Sequence, residues 1–213
     1  MKKWICLVLA LVLTAMLFTG CGAKKKLLGV WSCTVDLSGE AQKILEESGL
    51  GGAFTVTDFA VTATLEFGKD DLFRLRLDPE DLDARLDVLL ADLEEGLLEL
   101  LQVQLGEKVD ISLEEILTMS GQNKEALTQQ LRQQFPVEDF RQRLEEITAL
   151  SGSYKVKKEQ LLLGADADSL EEDWGISYVV EDGVLQLALP EVPGTFTAGN
   201  RILEQLPLEF TKK

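Results

Sequence analysis

The sequence contains no histidine and only three cysteines in 213 residues. Without an imidazole, the chain has neither a serine–histidine nor a cysteine–histidine pair to serve as nucleophile and general base. It also lacks the most common protein ligand for zinc and other transition metals. Phosphate-loop, dinucleotide-binding and Gly-x-Ser-x-Gly motifs are missing as well. We therefore expect no enzyme, no catalytic residue, no metal and no cofactor.

Adjacent glutamates, such as those at 94–95, 114–115 and 145–146, are what remains for acid–base chemistry. Each pair lies in a segment with helical leucine spacing. Neighbouring residues on a helix diverge by about 100° and cannot both face one substrate. We interpret these pairs as solvated surface, with an acid–base role as the less favoured alternative.

Long apolar runs are equally scarce. The uncharged stretch from Trp4 to Phe18 is shorter than the roughly 20 residues that a membrane-spanning helix needs. Two lysines precede it, and the small residues Thr19 and Gly20 follow it, directly before Cys21. This order is typical of an export signal over residues 1–20. A spanning helix is the weaker interpretation.

The segment Leu17-Phe18-Thr19-Gly20-Cys21 resembles the lipobox of bacterial lipoproteins, although that family usually has leucine where Phe18 stands. The resemblance implies cleavage after Gly20 and diacylglyceryl (palmitate-type) lipid on Cys21. It also implies an extracytoplasmic protein whose first partner is the membrane. The alternative is an ordinary secretory signal with a coincidental cysteine.

Residues 21–28 are then a lipidated, flexible tether. Two acyl chains hold a protein stably on a bilayer, whereas one holds it reversibly. Lys24, Lys25 and Lys26 follow the anchor, and each lysine near an anionic leaflet adds about 1 kcal/mol of attraction. A solubilising linker explains the same three residues.

Acidic residues dominate the rest of the chain. Two of the 21 basic residues and none of the 37 acidic residues lie in 1–20, so cleavage leaves a formal charge of −18. Nucleic acid is therefore not expected as a partner. The acidic segment 166–173 fails the calcium-loop pattern, because Leu170 and Glu171 stand where an oxygen ligand and a glycine are required. We interpret it as a solvated turn, with a weak cation site as the alternative.

Residues 29–37 alternate between apolar and polar side chains, which predicts a half-buried strand. Cys33 falls on its apolar face. Because Cys6 leaves with the signal and Cys21 carries lipid, Cys33 has no disulfide partner and should behave as a small buried hydrophobe. The same period predicts further strands at 59–67, 72–77, 154–157, 161–163, 176–180, 185–189 and 206–211.

Helical spacing interrupts this pattern twice. A short helix is predicted at 40–48, ended by Gly49, and a helical insertion at 79–151 begins with Asp78 as cap. The insertion contains predicted caps at Ser112 and Asn123, a stop before Pro136, and apolar stripes. The stripe residues are Leu82, Leu86, Leu89, Leu93, Leu97, Leu100 and Leu101, and later Phe140, Leu144, Ile147 and Leu150.

These segments predict an α+β protein with about eight strands, arranged as an antiparallel meander or small barrel. We expect a single domain over 29–213. The leucine stripes of its insertion either pack on one another and on the sheet or form a partner surface.

The opening Gly29-Val30-Trp31 resembles the Gly-x-Trp motif of lipocalins and other calycins. The segments 152–156 and 206–211 also look like those of uncharacterised lipocalin-like lipoproteins of Gram-positive bacteria. The helical insertion departs from the lipocalin pattern. The resemblance implies a β-barrel able to hold a small apolar ligand.

Four aromatic residues are the candidates for lining such a pocket: Trp31, Trp174, Tyr154 and Tyr178. Filling the core is the alternative role for each of them. The sequence therefore predicts a membrane-anchored, extracytoplasmic, non-enzymatic protein. It either binds a small apolar ligand in the barrel or acts as an envelope scaffold whose helical insertion contacts another protein.

Overall fold

A computed structural model describes residues 22–49, 51, 54–106, 113–119, 123–170, 175–189 and 200–213. The predicted export signal, Cys21, the predicted cap Ser112 and the candidate Trp174 lie outside these ranges. Residues 22–27 are helical, and Leu28 donates its backbone N–H to the Lys24 carbonyl.

Eight antiparallel strands form a closed barrel in which each strand pairs with its neighbours in sequence order. The predicted α+β class and the barrel are thus confirmed. The strands are β1 (Gly29–Asp36), β2 (Ala60–Phe67), β3 (Leu72–Leu77), β4 (Leu150–Lys157), β5 (Gln160–Gly164), β6 (Gly175–Glu181), β7 (Val184–Ala188) and β8 (Leu208–Lys212).

Five α-helices are described after the segment 22–27. They are α1 (Ser38–Glu47), α2 (Pro79–Gly106), α3 (Leu113–Met119), α4 (Lys124–Gln134) and α5 (Val137–Thr148). Helices α2 to α5 lie between β3 and β4 in the chain, which confirms the helical insertion. Short 3₁₀ helices occupy Ala167–Ser169 and Leu203–Gln205.

The chain divides into two compact units. The barrel unit comprises the described residues within Met1–Cys33, Ala63–Arg76 and Ile147–Lys213. The helical unit comprises Thr34–Thr62 and Leu77–Glu146.

Within the barrel unit, large apolar side chains from every strand are buried. The aromatic members of this core are Trp31, Phe67, Phe73, Tyr154 and Phe210, and none is more than 4% exposed. The core also includes Leu65, Leu75, Leu161, Ile176, Leu185 and Leu187. In β3 and β7 every second residue is buried, because successive side chains point to opposite faces of a sheet.

Within the helical unit, α2 begins as predicted. Pro79 is its first residue, and the Asp78 carbonyl accepts the Leu82 N–H at 2.9 Å. Leu82, Leu86, Leu89 and Leu93 are buried. The edge of the Phe59 ring meets Phe140 at a centroid distance of 6.4 Å.

Part of the predicted leucine stripe of α2 is exposed. Leu100 continues the α2 stripe but is 38% exposed, whereas Leu98 is 7% exposed and joins the core in its place. Helical spacing fixes the face on which a residue lies, but burial depends on whether another element covers that part of the helix.

Leu150, which was predicted to end the last helical stripe, instead opens β4 and pairs with Leu75 of β3. The helix stops earlier because its last carbonyls are satisfied from elsewhere. Arg201 donates its backbone N–H to the Ile147 carbonyl at 3.0 Å, and Asn200 Nδ2 donates to the Thr148 carbonyl at 2.7 Å.

Asn200 therefore holds a helix end and a loop together, and it is 3% exposed. Its Oδ1 also accepts the backbone N–H groups of Ile202 at 3.0 Å and Leu203 at 3.2 Å. Replacing Asn200 with Ala removes its hydrogen bonds to these three buried backbone groups. We expect a loss of about 2–3 kcal/mol in the free energy of unfolding, measured with urea.

Gln186→Ala is the matched control, because the Gln186 amide is exposed and donates to Glu209 on the neighbouring strand. A change within about 0.5 kcal/mol is expected there. Equal unfolding midpoints for the two variants would contradict the role given to Asn200.

Candidate functional site

Trp31, the first candidate for ligand binding, is fully buried in β1. Its indole Nε1–H donates to the Leu27 carbonyl at 2.6 Å, so its single polar group is already used within the protein. The Lys212 ammonium lies 5.1 Å from the ring centroid. Trp31 thus joins the helical segment 22–27 to the barrel and has no polar atom left for a ligand.

Tyr154 behaves in the same way at β4. It is 2% exposed, and its hydroxyl donates to the Gly68 carbonyl at 2.9 Å. Its ring meets Phe67 edge-on at a centroid distance of 4.9 Å. Burial raises the pKa of the Tyr154 hydroxyl to about 12, with smaller contributions from the carboxylates of Asp71 and Asp70.

Tyr178 is half-buried on β6, and its hydroxyl donates to the Lys158 carbonyl at 3.4 Å. Its backbone N–H donates to the Glu159 carbonyl at 3.1 Å. Burial and the Glu159 carboxylate raise the pKa of the Tyr178 hydroxyl.

Trp31, Tyr154 and Tyr178 have the same structural role. Each donates its polar hydrogen to a backbone carbonyl in a segment at the same end of the barrel. That end is where the chain enters β1 and where the hairpin turns 68–71, 158–159 and 182–183 lie. We call these turns, together with residues 22–27 and 212–213, the base of the barrel.

Several segments of the base are held by contacts with one another or with the strands. Lys24 forms an ion pair with Asp71, whose carbonyl accepts the Tyr154 N–H at 2.8 Å. Lys212 donates its N–H to the Gly183 carbonyl, and Lys213 donates to the Val30 carbonyl, each at 3.0 Å. The base is therefore an ordered surface.

Lysines are concentrated on this surface. It carries Lys24, Lys25, Lys26, Lys69, Lys158, Lys212 and Lys213 against Asp70, Asp71, Glu159 and Asp182. Seven ammonium groups and four carboxylates leave a formal charge of +3. Because the chain from Cys21 onward has a charge of −18, the remainder carries −21.

Lys158 holds an unusual backbone conformation on this surface, with φ at +57°. Glycine, asparagine or aspartate ordinarily occupies such a position, because a longer side chain costs about 1–2 kcal/mol there. The adjacent base turn follows that preference, with Asp182 and Gly183 at φ values of +48° and +79°.

The sequence interpretation identified Lys24–Lys26 but missed the four other lysines of the base. A signal for them was available in the strand order. In an antiparallel meander, alternate connections lie at the same end, so the turns after β2, β4 and β6 must meet beside the start of β1.

The helical unit contains a cleft of about 390 Å³. Ile44 and Phe140 form its buried floor, and Phe135 lies beside them, with its ring centroid 5.9 Å from that of Phe140. Charged side chains line the rim, where Arg143 Nη1 donates to Glu47 Oε2 at 2.8 Å. The volume lies within the ordinary range of small binding sites.

Cys33 is 9% exposed, and burial raises the pKa of its thiol to about 12. A nucleophilic cysteine requires the opposite, a thiolate favoured by exposure and positive charge. Cys33 is thus a small buried hydrophobe, as predicted.

The described part of the acidic segment uses its first carboxylate for a turn. Asp166 Oδ1 accepts the backbone N–H groups of Asp168 at 3.1 Å and Ser169 at 2.9 Å. Ser169 Oγ in turn accepts the Asp166 N–H, which completes a capping box. Among the described residues, no cluster of three or more acidic or cysteine side chains is arranged to hold a metal ion.

Within the described ranges, no helix combines the length and the apolar character that crossing a bilayer requires. Comparison of the chain with family models, with curated proteins and with solved structures gives no match.

The buried tyrosines predict a pH dependence. A hydroxyl whose pKa is about 12 in the folded protein and about 10 in the unfolded chain favours folding below pH 10. That stability is lost as the pH rises from about 10 to 12, because the unfolded chain releases its proton first. Tyrosinate absorbance during alkaline titration measures the ionisation of each hydroxyl. The signal is simple to assign, because the chain has two tyrosines.

Tyr154→Phe keeps the ring and removes the hydroxyl. We expect the later ionisation step to disappear and stability at neutral pH to fall by about 1 kcal/mol, because the bond to the Gly68 carbonyl is lost. If both tyrosines of the folded wild-type protein ionise near their ordinary pKa, this account is contradicted.

Proposed function

We propose that this protein is a membrane-anchored, extracytoplasmic lipoprotein without enzymatic activity, held by lipid on Cys21 and acting by contact with another envelope component. The observation that carries the proposal is the position of the base. Residues 22–27 follow Cys21 directly and are tied to the barrel through Leu27 and Trp31. Lipid at residue 21 places the lysine-rich end of the barrel against the bilayer.

The chemistry of the described side chains supports a non-enzymatic role. The chain has no histidine, and its one described cysteine is buried with a raised pKa. The predicted ligand-binding residues Trp31, Tyr154 and Tyr178 bond backbone carbonyls of the base.

Two binding roles follow from the sequence, and the core packing favours one of them. A small apolar ligand inside the barrel needs empty space, and the side chains around that space would be exposed to it. The five aromatic core residues of the barrel unit are at most 4% exposed. An eight-stranded barrel is narrow enough for side chains alone to fill it. We therefore place the contact with a partner on the helical unit.

The cleft of the helical unit is the proposed contact surface. Phe140 and Ile44 provide an apolar floor, and Arg143, Glu47 and Asp139 stand around it. An apolar centre with a polar rim is the usual arrangement of protein interfaces, in which aromatic residues and arginine are enriched.

The anchor is tested by exchanging each cysteine in turn. Cys21→Ser should abolish incorporation of labelled fatty acid and release the protein from the membrane fraction. Cys33→Ser is the matched control and should keep both the label and the membrane location, because that thiol is buried in the barrel. Labelling that persists in Cys21→Ser would refute lipidation at this residue.

The contact surface is tested with a photo-crosslinking residue in living cells. In place of Phe135, beside the cleft, it should give a covalent adduct with one envelope protein. Substituting Arg143→Glu in that chain should reduce the adduct several-fold, since close interfacial charge pairs contribute about 1.5 kcal/mol or more.

Val179, which is 49% exposed on the barrel, is the control position and should give no adduct. Native mass spectrometry of protein taken from its own membrane gives the opposing outcome. A bound apolar small molecule, together with no adduct at position 135, would favour the ligand-binding role instead.

A further inference from the structure

The lysines of the base come from separate parts of the chain. Residues 24–26 follow the predicted anchor, Lys69 and Lys158 lie in two hairpin turns, and 212–213 end β8. The strand order gathers them at one end of the barrel, and the contacts of Lys24 with Asp71 and of Lys213 with Val30 hold them there. The three lysines of the tether and the four lysines of the turns and β8 therefore form one surface with seven lysines.

We propose that the base of the barrel binds an anionic lipid surface, such as one rich in phosphatidylglycerol, and fixes the orientation of the protein on the membrane. This inference rests on the proposed function, since the lipid on Cys21 brings the base to the bilayer. It adds that the turns and the last residues of β8 contact the headgroups, beyond the lysines of the tether.

The charge distribution supports an anionic partner. The base carries +3 within a chain whose remaining residues carry −21. Within a Debye length of an anionic bilayer, about 8–10 Å, the base is attracted while acidic surfaces turned toward the lipid are repelled. Attraction of the base and repulsion of the acidic surfaces favour the same orientation, in which the base faces the bilayer.

Lys158 gives a second, local argument. Its backbone φ of +57° suits glycine or asparagine better than lysine, and the neighbouring turn uses Asp182 and Gly183 at such angles. A charged side chain is therefore present at a position where turn geometry favours a different residue. Its exposed ammonium is explained by a contact outside the protein.

The test is a lysine-labelling footprint, on vesicles, of the protein purified from its own membrane. One vesicle preparation contains phosphatidylglycerol and phosphatidylcholine, and the other phosphatidylcholine alone. On the anionic vesicles, acetylation of Lys69, Lys158 and Lys213 should fall by about threefold or more, and high salt should restore it. Lys43 of α1 lies outside the base and should react equally in both preparations.

Flotation of the same samples separates this inference from the anchor. Flotation with both preparations, with equal labelling of the base lysines in each, overturns the inference and leaves the anchor intact. Flotation with the anionic vesicles only, with the base lysines protected there, supports the inference and contradicts lipidation. Flotation with neither overturns both.

Free phosphate is excluded by a third sample. Inorganic phosphate, at the phosphorus concentration of the vesicles, should leave the labelling of the base lysines unchanged. If it protects these lysines as well as the anionic vesicles do, the base binds phosphate itself and the lipid-surface proposal is overturned.

A charge-matched pair of variants shows which cations matter. The triple variant Lys69→Gln, Lys158→Gln and Lys213→Gln removes three charges from the base outside the tether, and protection of Lys212 on anionic vesicles should be lost. The control variant Lys43→Gln, Arg85→Gln and Arg201→Gln removes the same number elsewhere and should keep it. Equal melting temperatures confirm that both fold, and undiminished protection of Lys212 in the first triple variant refutes the proposal.

Discussion

Strands β1 and β8 pair at Trp31 with Lys212 and at Ser32 with Thr211, and this short ladder converts a meander into a closed ring. Closure removes the two open edges that an eight-stranded sheet would otherwise present for pairing with other chains. It also fixes where the chain enters and leaves the barrel, since the first residues of β1 lie beside the last residues of β8. The stacking of the Lys212 ammonium on Trp31 and the bond from Trp31 to Leu27 both depend on this neighbourhood.

Closure in sequence order also separates the connections by length. The three tight turns after β2, β4 and β6 fall at the end where β1 begins, while the longer connections start from strand ends at the opposite end. A molecule of strongly acidic composition thus acquires one basic end without a basic segment longer than three residues. Net charge alone would have predicted repulsion from an anionic membrane. The distribution of charge gives the opposite expectation for the base.

Much of this architecture can be predicted from the local periodicity of apolar residues in the sequence. The predicted β3 at 72–77 matches the structure residue for residue, because Phe73, Leu75 and Leu77 alternate with polar neighbours and a polar turn precedes them. Other features required knowledge of contacts. Leu150 has the spacing of a helix but pairs with Leu75, and Leu100 continues the predicted stripe but is 38% exposed. Trp31 and Tyr154 were identified as aromatic candidates, yet their hydrogen bonds to Leu27 and Gly68 could not be read from composition.

The pairing of Lys213 with Val30 has a practical consequence for handling the protein. Because residues 22–27 and Lys213 lie on the same surface, a reporter or affinity tag joined at Lys213 would begin in the base itself. Such a fusion would cover part of the base. A change in the behaviour of the fusion protein would therefore say little about the helices. The exposed residues around Asp166, in the connection between β5 and β6, leave the barrel at its other end and are the better insertion point.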